Sequence, residues 1–287
     1  MSKAKQLKDI LLRKEVAIAV GCYDGVSARL VQETGFEVAL LSGYGVSGSL
    51  LGAPDYGMLT MPEMANQAKN VAKVLDIPLI ADGDTGYGNP LNVKRTVEEY
   101  ELAGAAAIQL EDQIFPKRCG HMDGREVIPM LEHCHKIEMA VNTRKEMLVL
   151  ARSDAGEAHG IDEAIKRVNE YAKAGADFVL IDAPNSIEQL KRITDKVRDV
   201  PIMVNMVEGG KTPILTKEEL QNLGFSLICY PTVALFAYVK AVKEILLELN
   251  KGGTSKDFPH KLETFKDYTT LVGLPQLQVL EKEYAIK

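Results

Sequence analysis

The chain has 287 residues, 46% hydrophobic and 26% charged, an ordinary composition for a soluble globular protein with enough apolar mass for one large domain. A formal net charge of −6 and the absence of any basic stripe exclude a general nucleic-acid or anionic-membrane surface, which needs clustered Lys and Arg. Four widely spaced cysteines (Cys22, Cys119, Cys134, Cys229) without a CxxC pair exclude a disulfide framework and a zinc site. The polar start of the chain is expected to carry no signal peptide, and the apolar runs are too short to span a bilayer, so a cytoplasmic location is expected.

Short apolar runs at 16–20, 38–42, 78–82, 107–111, 147–152, 178–182, 202–205 and 227–230 alternate with amphipathic stretches of helical length. The runs are apolar throughout, as in strands covered on both faces of a parallel sheet. Asn89-Pro90 announces a helix over 91–102, and Gly160-Ile161-Asp162 announces one over 163–174. Gly104, Gly175 and Gly224 stand where helices should stop. Residues 101–110 and 172–181 resemble one βα unit written twice. Periodicity alone also allows an open doubly wound sheet. Eight runs in a chain of this length favour α/β architecture closed as a (β/α)8 TIM-type barrel, typically ~250 residues. The expected organisation is a catalytic barrel over 1–250 and a helical tail over 251–287, which opens with Lys251-Gly252-Gly253-Thr254-Ser255.

Polar residues cluster at the ends of the runs. Ser42, Asp82, Asp84, Glu111, Arg152, Asp182 and Asn205 all sit at or just past a predicted strand end, and in a barrel those ends share one face. Asp82-Gly83-Asp84 can offer two carboxylates to a hard cation that prefers oxygen ligands. Lys117-Arg118-Cys119-Gly120-His121 puts a thiol among basic residues, which favours the thiolate and suits Cys119 for proton transfer near neutral pH. Gly120 and Gly124 suit a loop that closes over a bound molecule. Cys22, Cys134 and Cys229 read as small buried hydrophobes, and His133 and His135 as solvated helix residues. The glycines of 83–88 lack the spacing and the lysine of a phosphate-binding loop.

Taken together, Ser42-Gly43-Tyr44-Gly45, Pro54-Asp55-Tyr56-Gly57, the 82–88 run, Glu111-Asp112-Gln113 and the 117–121 run resemble the isocitrate lyase/phosphoenolpyruvate mutase superfamily over nearly the whole chain. The cysteine-containing run resembles that of its lyases rather than its phosphonate mutases. The resemblance implies a (β/α)8 barrel with a swapped C-terminal helix, a homotetramer, a small carboxylic-acid substrate, and Mg2+, for which Mn2+ can substitute. It implies that Asp82 and Asp84 hold the metal, with Asp55 and Glu111 acting through its waters. Ser42, Gly43, Tyr44, Gly120, Arg152, Asp182 and Asn205 would bind substrate. Cys119, Arg118, His121 and Glu111 would form the catalytic set, with Cys119 protonating a carbanion and Arg118, Gly120 and His121 steadying its charge.

Three departures from the family pattern bear on substrate and mechanism. Many relatives carry a tyrosine in the segment that here reads Ala39-Leu40-Leu41-Ser42, which leaves Tyr44 as the candidate base. Phe236 and Phe265 align where methylisocitrate lyases carry arginines, removing the partner of a third carboxylate. Asp182 stands where the lyases usually have Glu. The expected activity is cleavage of 2,3-dimethylmalate to pyruvate and propanoate. The alternatives are 2-methylisocitrate cleavage, oxaloacetate hydrolysis or decarboxylation, and a catalytically silent metabolite-binding barrel.

Overall fold

The computed structural model describes residues 1–285; Ile286 and Lys287, the end of the 251–287 tail, lie outside the described residues. Eight parallel strands form a closed barrel in sequence order, which excludes the open sheet. They are β1 (Ala17–Cys22), β2 (Val38–Leu41), β3 (Leu79–Asp82), β4 (Ala107–Glu111), β5 (Leu148–Ser153), β6 (Phe178–Ile181), β7 (Ile202–Asn205) and β8 (Leu227–Tyr230). β8 closes on β1 with Ala17 opposite Leu227. All of their residues but Ile18 and Tyr230 are buried, as continuous apolar runs require of strands covered by helices.

The helices follow their start and stop signals. α1 (Lys3–Leu12), α2 (Gly25–Glu33), α3 (Gly43–Val46) and α4 (Met61–Ala72) precede α5 (Pro90–Ala103), which begins with an Asn89 capping box and Pro90 and ends at left-handed Gly104, φ 94°. Then come α6 (Met130–Thr143), α7 (Ala155–His159), α8 (Ile161–Lys173), α9 (Ile187–Lys196) and α10 (Lys217–Leu223), the last opened by a Thr216–Glu219 capping box and stopped by Gly224.

Alternation along each strand sends every second side chain into the barrel. The first inward layers are apolar and include Ala17, Val38, Ile80, Ala107, Leu148, Phe178 and Leu227. Leu7, Ile10 and Leu11 of α1 belong to the same cluster, so this helix seals the N-terminal mouth. The Lys3 ammonium donates to the carbonyls of Ala72 and Leu75 and fixes the start of α1. With that end plugged, a pocket inside the barrel must open at the C-terminal end of the strands.

A second compact unit begins at Ala234. It holds α11, which starts at Val233 and runs unbroken to Gly252, followed by α12 (Phe265–Leu271) and α13 (Leu274–Tyr284). None of these three helices contains a buried residue, and Phe236 and Phe265 are 38% and 85% exposed. Among the described residues no helix is long and apolar enough to cross a membrane.

The plug makes a direct prediction. Leu7 is fully buried, and Leu7→Ala should cost about 2–5 kcal/mol through lost burial and a residual cavity. Urea unfolding measures it; a loss under about 1 kcal/mol would mean that α1 is not part of the cooperative core.

Candidate active site

The next inward positions along the strands change from apolar to polar. Ser42 follows β2, Asp82 ends β3, Gln109 and Glu111 lie on β4, Arg152 on β5, Asp182 just after β6, and Asn205 ends β7, all buried. The expected convergence of strand-end residues on one face is what the barrel produces.

On one side of this face the carboxylates gather around a lysine. The Lys117 ammonium lies 2.7 Å from both Asp55 Oδ1 and Asp84 Oδ1, and all three residues are buried. Burial opposes its charge, but Asp84, Asp55, Asp82 and Glu111 together outweigh burial and hold the Lys117 pKa well above its usual value. Asp82 accepts hydrogen bonds from the backbone N–H groups of Gly43 and Asp84 and from Gln109 Nε2, each at 3.2 Å. Burial pushes Asp84 up to about 7 against the pull of Lys117. Glu111 is driven well up by burial, and neither of its oxygens has a hydrogen-bond partner among the described residues. Asp55, Asp82, Asp84 and Glu111 thus make a buried all-oxygen set with unsatisfied acceptors. Among the described residues no three His, Cys, Asp or Glu side chains form a ready-made metal cage.

On the other side Arg152 is gripped by three carboxylates. Its Nε and Nη2 donate to Asp154 at 2.8 Å, Nη2 reaches Asp182 Oδ2 at 2.8 Å, and Nη1 lies 3.4 Å from Glu111 Oε2. Asn205 Nδ2 donates to Asp182 Oδ1 at 2.8 Å. Burial works against the Asp182 charge, but Arg152, His121 and Arg125 overcome it and keep its pKa below the usual carboxylate range.

The 117–125 segment is seated on this pair. A Cβ on Gly120 would stand 1.6 Å from Asp182 Oδ2 and 2.6 Å from Arg152 Nη2, so no other residue fits there without displacing the segment. His121 Nδ1 accepts the Lys211 N–H at 2.9 Å, which places the neutral ring's proton on Nε2, and burial holds the imidazole below its usual pKa. The Cys119 N–H donates to the Asp55 carbonyl at 3.2 Å, tying the thiol's backbone to the carboxylate side.

One expectation about this segment is corrected. Burial pushes the Cys119 thiol up to about 11, with Asp55 and Asp182 adding to it, so Cys119 is held as a thiol and not as a thiolate. Its sequence neighbours do not shield it: the Lys117 ammonium is spent on Asp55 and Asp84. The Arg118 guanidinium lies over the Tyr56 ring at 5.4 Å and donates to the carbonyls of Asp123 and Gly124. Arg118 thereby braces the segment through Tyr56 and its own loop carbonyls. Tyr44 lies within the electrostatic reach of Cys119 and Asp55, and burial, then those two groups, raise its phenol. Ser42 caps α3, its Oγ accepting the Gly45 N–H.

Residues 7–250 match the family model described as phosphoenolpyruvate phosphomutase. The chain belongs to that family. It is 41% identical over 287 residues to the 2,3-dimethylmalate lyase of Eubacterium barkeri, covering 99% of both chains. It is 44% identical over 276 residues to the chloroplastic carboxyvinyl-carboxyphosphonate phosphorylmutase of Arabidopsis thaliana, covering 94% of this chain and 81% of that one. Among solved structures, oxaloacetate acetylhydrolase in complex with 3,3-difluorooxalacetate superposes with a TM-score of 0.95 at 34% identity, covering 100% of this chain and 98% of that one. The superfamily in question is the PEP mutase/isocitrate lyase superfamily.

Within this family member, the supports behind the site were not visible in the sequence. Asp112 is fully buried outside the barrel wall and accepts from the Asp154 N–H (2.8 Å), Ser153 Oγ (2.8 Å), Tyr171 OH (2.7 Å) and Arg167 Nη1 (3.2 Å). It thereby fixes the turn that carries Asp154 beneath Arg152. Beside it His133, expected in solvent, is fully buried, its ring edge-on to Tyr171 at 4.6 Å. His135 is exposed and Cys22, Cys134 and Cys229 are buried, as expected. Burial, then Lys136 and Arg167, push His133 down to about 3. The unfolded chain takes up that proton once the pH drops below about 6.5, whereas the folded protein does not until about 3, so this residue withdraws stability as pH falls through that window. His133→Leu should flatten the loss of stability between pH 7 and about 4.5, read as urea midpoints at each pH; equal losses in both proteins would place the acid sensitivity elsewhere.

Proposed function

We propose that this protein is a Mg2+-dependent carbon–carbon lyase that cleaves 2,3-dimethylmalate to pyruvate and propanoate. The observation that carries it is a half-buried thiol, kept protonated, on a segment seated against an Arg152–Asp182 pair beside an all-oxygen carboxylate set. Full-length similarity to a 2,3-dimethylmalate lyase supports the same reading. The family resemblance, which sets Phe236 and Phe265 where methylisocitrate lyases carry arginines, implies that a third carboxylate would lose its cation.

The carboxylate set fits Mg2+. It offers only oxygens, and neither buried Glu111 oxygen accepts a hydrogen bond among the described residues, although Arg152 Nη1 stands 3.4 Å from one of them; Mg2+ takes one or two carboxylates and keeps its remaining ligands as water. Asp82 and Asp84 would hold the ion, with Asp55 and Glu111 acting through its waters. Bound there, it supplies Lewis-acid stabilisation of the 2-oxo acid half of the substrate. Ser42, Gly43, Tyr44 and Arg152 bind that half. The 2-hydroxyl proton leaves towards Glu111, whose burial raises its proton affinity. Tyr44, with its raised pKa, acts better as a hydrogen-bond donor than as the base. As the C2–C3 bond breaks, its electron pair stays on C3 and delocalises into the neighbouring carboxylate. His121 Nε2–H and Asn205 steady that charge, and Cys119 delivers its proton to C3. Seating of the segment excludes water, the competing acid.

The second unit supports an oligomeric reading. Helices α11 to α13 bury nothing by themselves and expose Val239, Leu246, Leu247, Leu277 and Leu280. A homotetramer with exchanged C-terminal helices would cover such faces.

The deciding experiment compares kcat/KM for 2,3-dimethylmalate and 2-methylisocitrate, each with Mg2+ and pyruvate as the readout. We expect dimethylmalate to be preferred at least about a hundredfold, since stranding a buried carboxylate without its partner costs about 3–5 kcal/mol. Preference for methylisocitrate would overturn the substrate and keep the lyase. Oxaloacetate is the second reading, favoured by the close superposition on oxaloacetate acetylhydrolase; turnover of oxaloacetate to oxalate and acetate without pyruvate release from either malate would establish it instead. Cys119→Ser should lower kcat by about 10²–10⁴, the range of a positioned general acid, with KM little changed. Unaltered kcat would remove Cys119 from the chemistry.

A further inference from the structure

Outside the substrate-facing residues, a set of charges converges on the far edge of the 117–125 segment. Glu157, on α7 just past β5, accepts the Gly124 N–H at 3.1 Å and Arg125 Nε and Nη2 at 3.1 and 2.6 Å. Lys211, in the loop after β7, reaches Glu157 Oε2 at 3.0 Å and Asp123 Oδ1 at 2.6 Å. The same lysine's backbone N–H is the donor that fixes His121, and a Cβ on its neighbour Gly210 would stand 2.5 Å from His121 Nδ1. Arg125 continues inward to Asp154 Oδ1 at 2.7 Å, the carboxylate that also grips Arg152.

We propose that Glu157 and Lys211 are positioning residues, a two-sided latch that holds the Cys119 segment closed over Arg152 and Asp182. The latch joins two separate barrel loops to the segment, so neither loop alone can seat it. Glu157 anchors its end with both oxygens, Oε1 accepting the Gly124 N–H and Oε2 accepting Arg125 Nε and Nη2, charge-assisted bonds that fix direction as well as strength. Lys211 ties that anchor to Asp123 and, through its own N–H, sets which nitrogen of His121 carries the proton. Glu157 and Lys211 are 27% and 30% exposed and Asp123 is 91% exposed, so the outer half of the latch lies where water can compete and release is cheap. The inner half, Arg125 on Asp154, is fully buried and registers the segment against the fixed frame of the site. Neither residue touches the carboxylate set, and their effect on chemistry would run entirely through the seat of Cys119 and His121.

The inference rests on the proposed lyase reading only in taking the seated segment as the working one. Its test is therefore independent of substrate. Cys119 is half-buried under the latch, while Cys22 and Cys229 are fully buried in the barrel and serve as internal controls. The rate of Cys119 alkylation by iodoacetamide is measured on the full-length protein by peptide mass spectrometry, for the parent and for Lys211→Met, Lys211→Arg and Glu157→Gln. Lys211→Met and Glu157→Gln should each raise the Cys119 rate about tenfold, with Lys211→Arg within about twofold of the parent and Cys22 and Cys229 unreactive throughout. An unchanged Cys119 rate in Lys211→Met and Glu157→Gln would overturn the latch. Parallel gains at Cys22 and Cys229 would overturn it too, by showing a general loosening. Should Glu157→Gln fail to fold for want of an Arg125 partner, the partly exposed Lys211→Met decides alone.

Discussion

The Arg152 guanidinium is the charge on which the site depends. It is buried, and it faces Glu111, Asp154 and Asp182 at once. Without it three buried carboxylates would confront each other, and breaking such a pair costs about 3–5 kcal/mol before any mutual repulsion is counted. The barrel supplies the geometry for this cation. Parallel register sets Glu111 of β4 opposite Arg152 of β5, and hydrogen bonding carries the β5–β6 pairing on to put Asp182 at the next inward level of β6. Asp154 follows two residues after Arg152, so the strand's own period returns it beneath the guanidinium. A shift of one residue in any of these pairings would turn the charges out of the barrel.

Lys117 is the second cation, and it reaches the site from a loop. It meets Asp55 and Asp84 where Arg152 meets Asp154 and Asp182, so the two halves of the acidic pocket are neutralised from different sources. One counter-charge belongs to the rigid wall, and the other arrives with the segment that carries Cys119. The position of that segment and the electrostatic balance of the carboxylate set are consequently coupled through Lys117. Two non-glycine residues in left-handed backbone, Asp84 at φ 47° and Ala183 at φ 55°, sit at the strand ends that face this pocket. Strain of this kind persists only where surrounding bonds overdetermine it, as the hydrogen bonds to Asp82 and Asp182 do here.

Strand count, order and the strand-end residues were legible because each rests on a local pattern: an apolar run, a period, a polar residue where the run stops. Ser42, Asp82, Glu111, Arg152, Asp182 and Asn205 were found that way. Side-chain direction in a loop has no such pattern. Lys117 and Arg118 look equivalent in the sequence, yet one turns in to Asp55 and Asp84 and the other turns out to Tyr56. The Cys119 thiol was misjudged for the same reason, since its acidity follows burial and the carboxylates across the pocket, not the cations beside it in sequence. Asp112 stood out only as part of the 111–113 motif, and Arg125, Glu157 and Lys211 did not stand out at all, because each finds its partners on a distant element. His133 was misplaced because a single histidine on an amphipathic helix does not declare which face it occupies; its partner Tyr171 lies on α8.

For the proton transfer proposed for Cys119, the balance of basicities makes a raised thiol pKa an asset and not a handicap. The carbanion left by C–C cleavage is far more basic than any thiolate, so moving pKa from its usual value to about 11 leaves the transfer strongly downhill. The same shift guarantees that the proton is present at rest at neutral pH, when a lowered pKa would leave part of the population already discharged. What limits such a donor is position. A thiol out of reach lets water protonate the carbanion, or lets the products recombine before any proton arrives. The close fit of Gly120 on Asp182 and Arg152 addresses that limit directly, because it leaves room for no side chain and sets the adjoining Cys119 at a fixed height above the strand ends. Relatives that share this barrel carry names for different reactions, as expected when a fold supplies the frame and its loops supply the chemistry. On the proposed mechanism the deciding quantity for this chain is the seat of the 117–125 segment, and the barrel would matter to the reaction chiefly through how firmly it holds that seat.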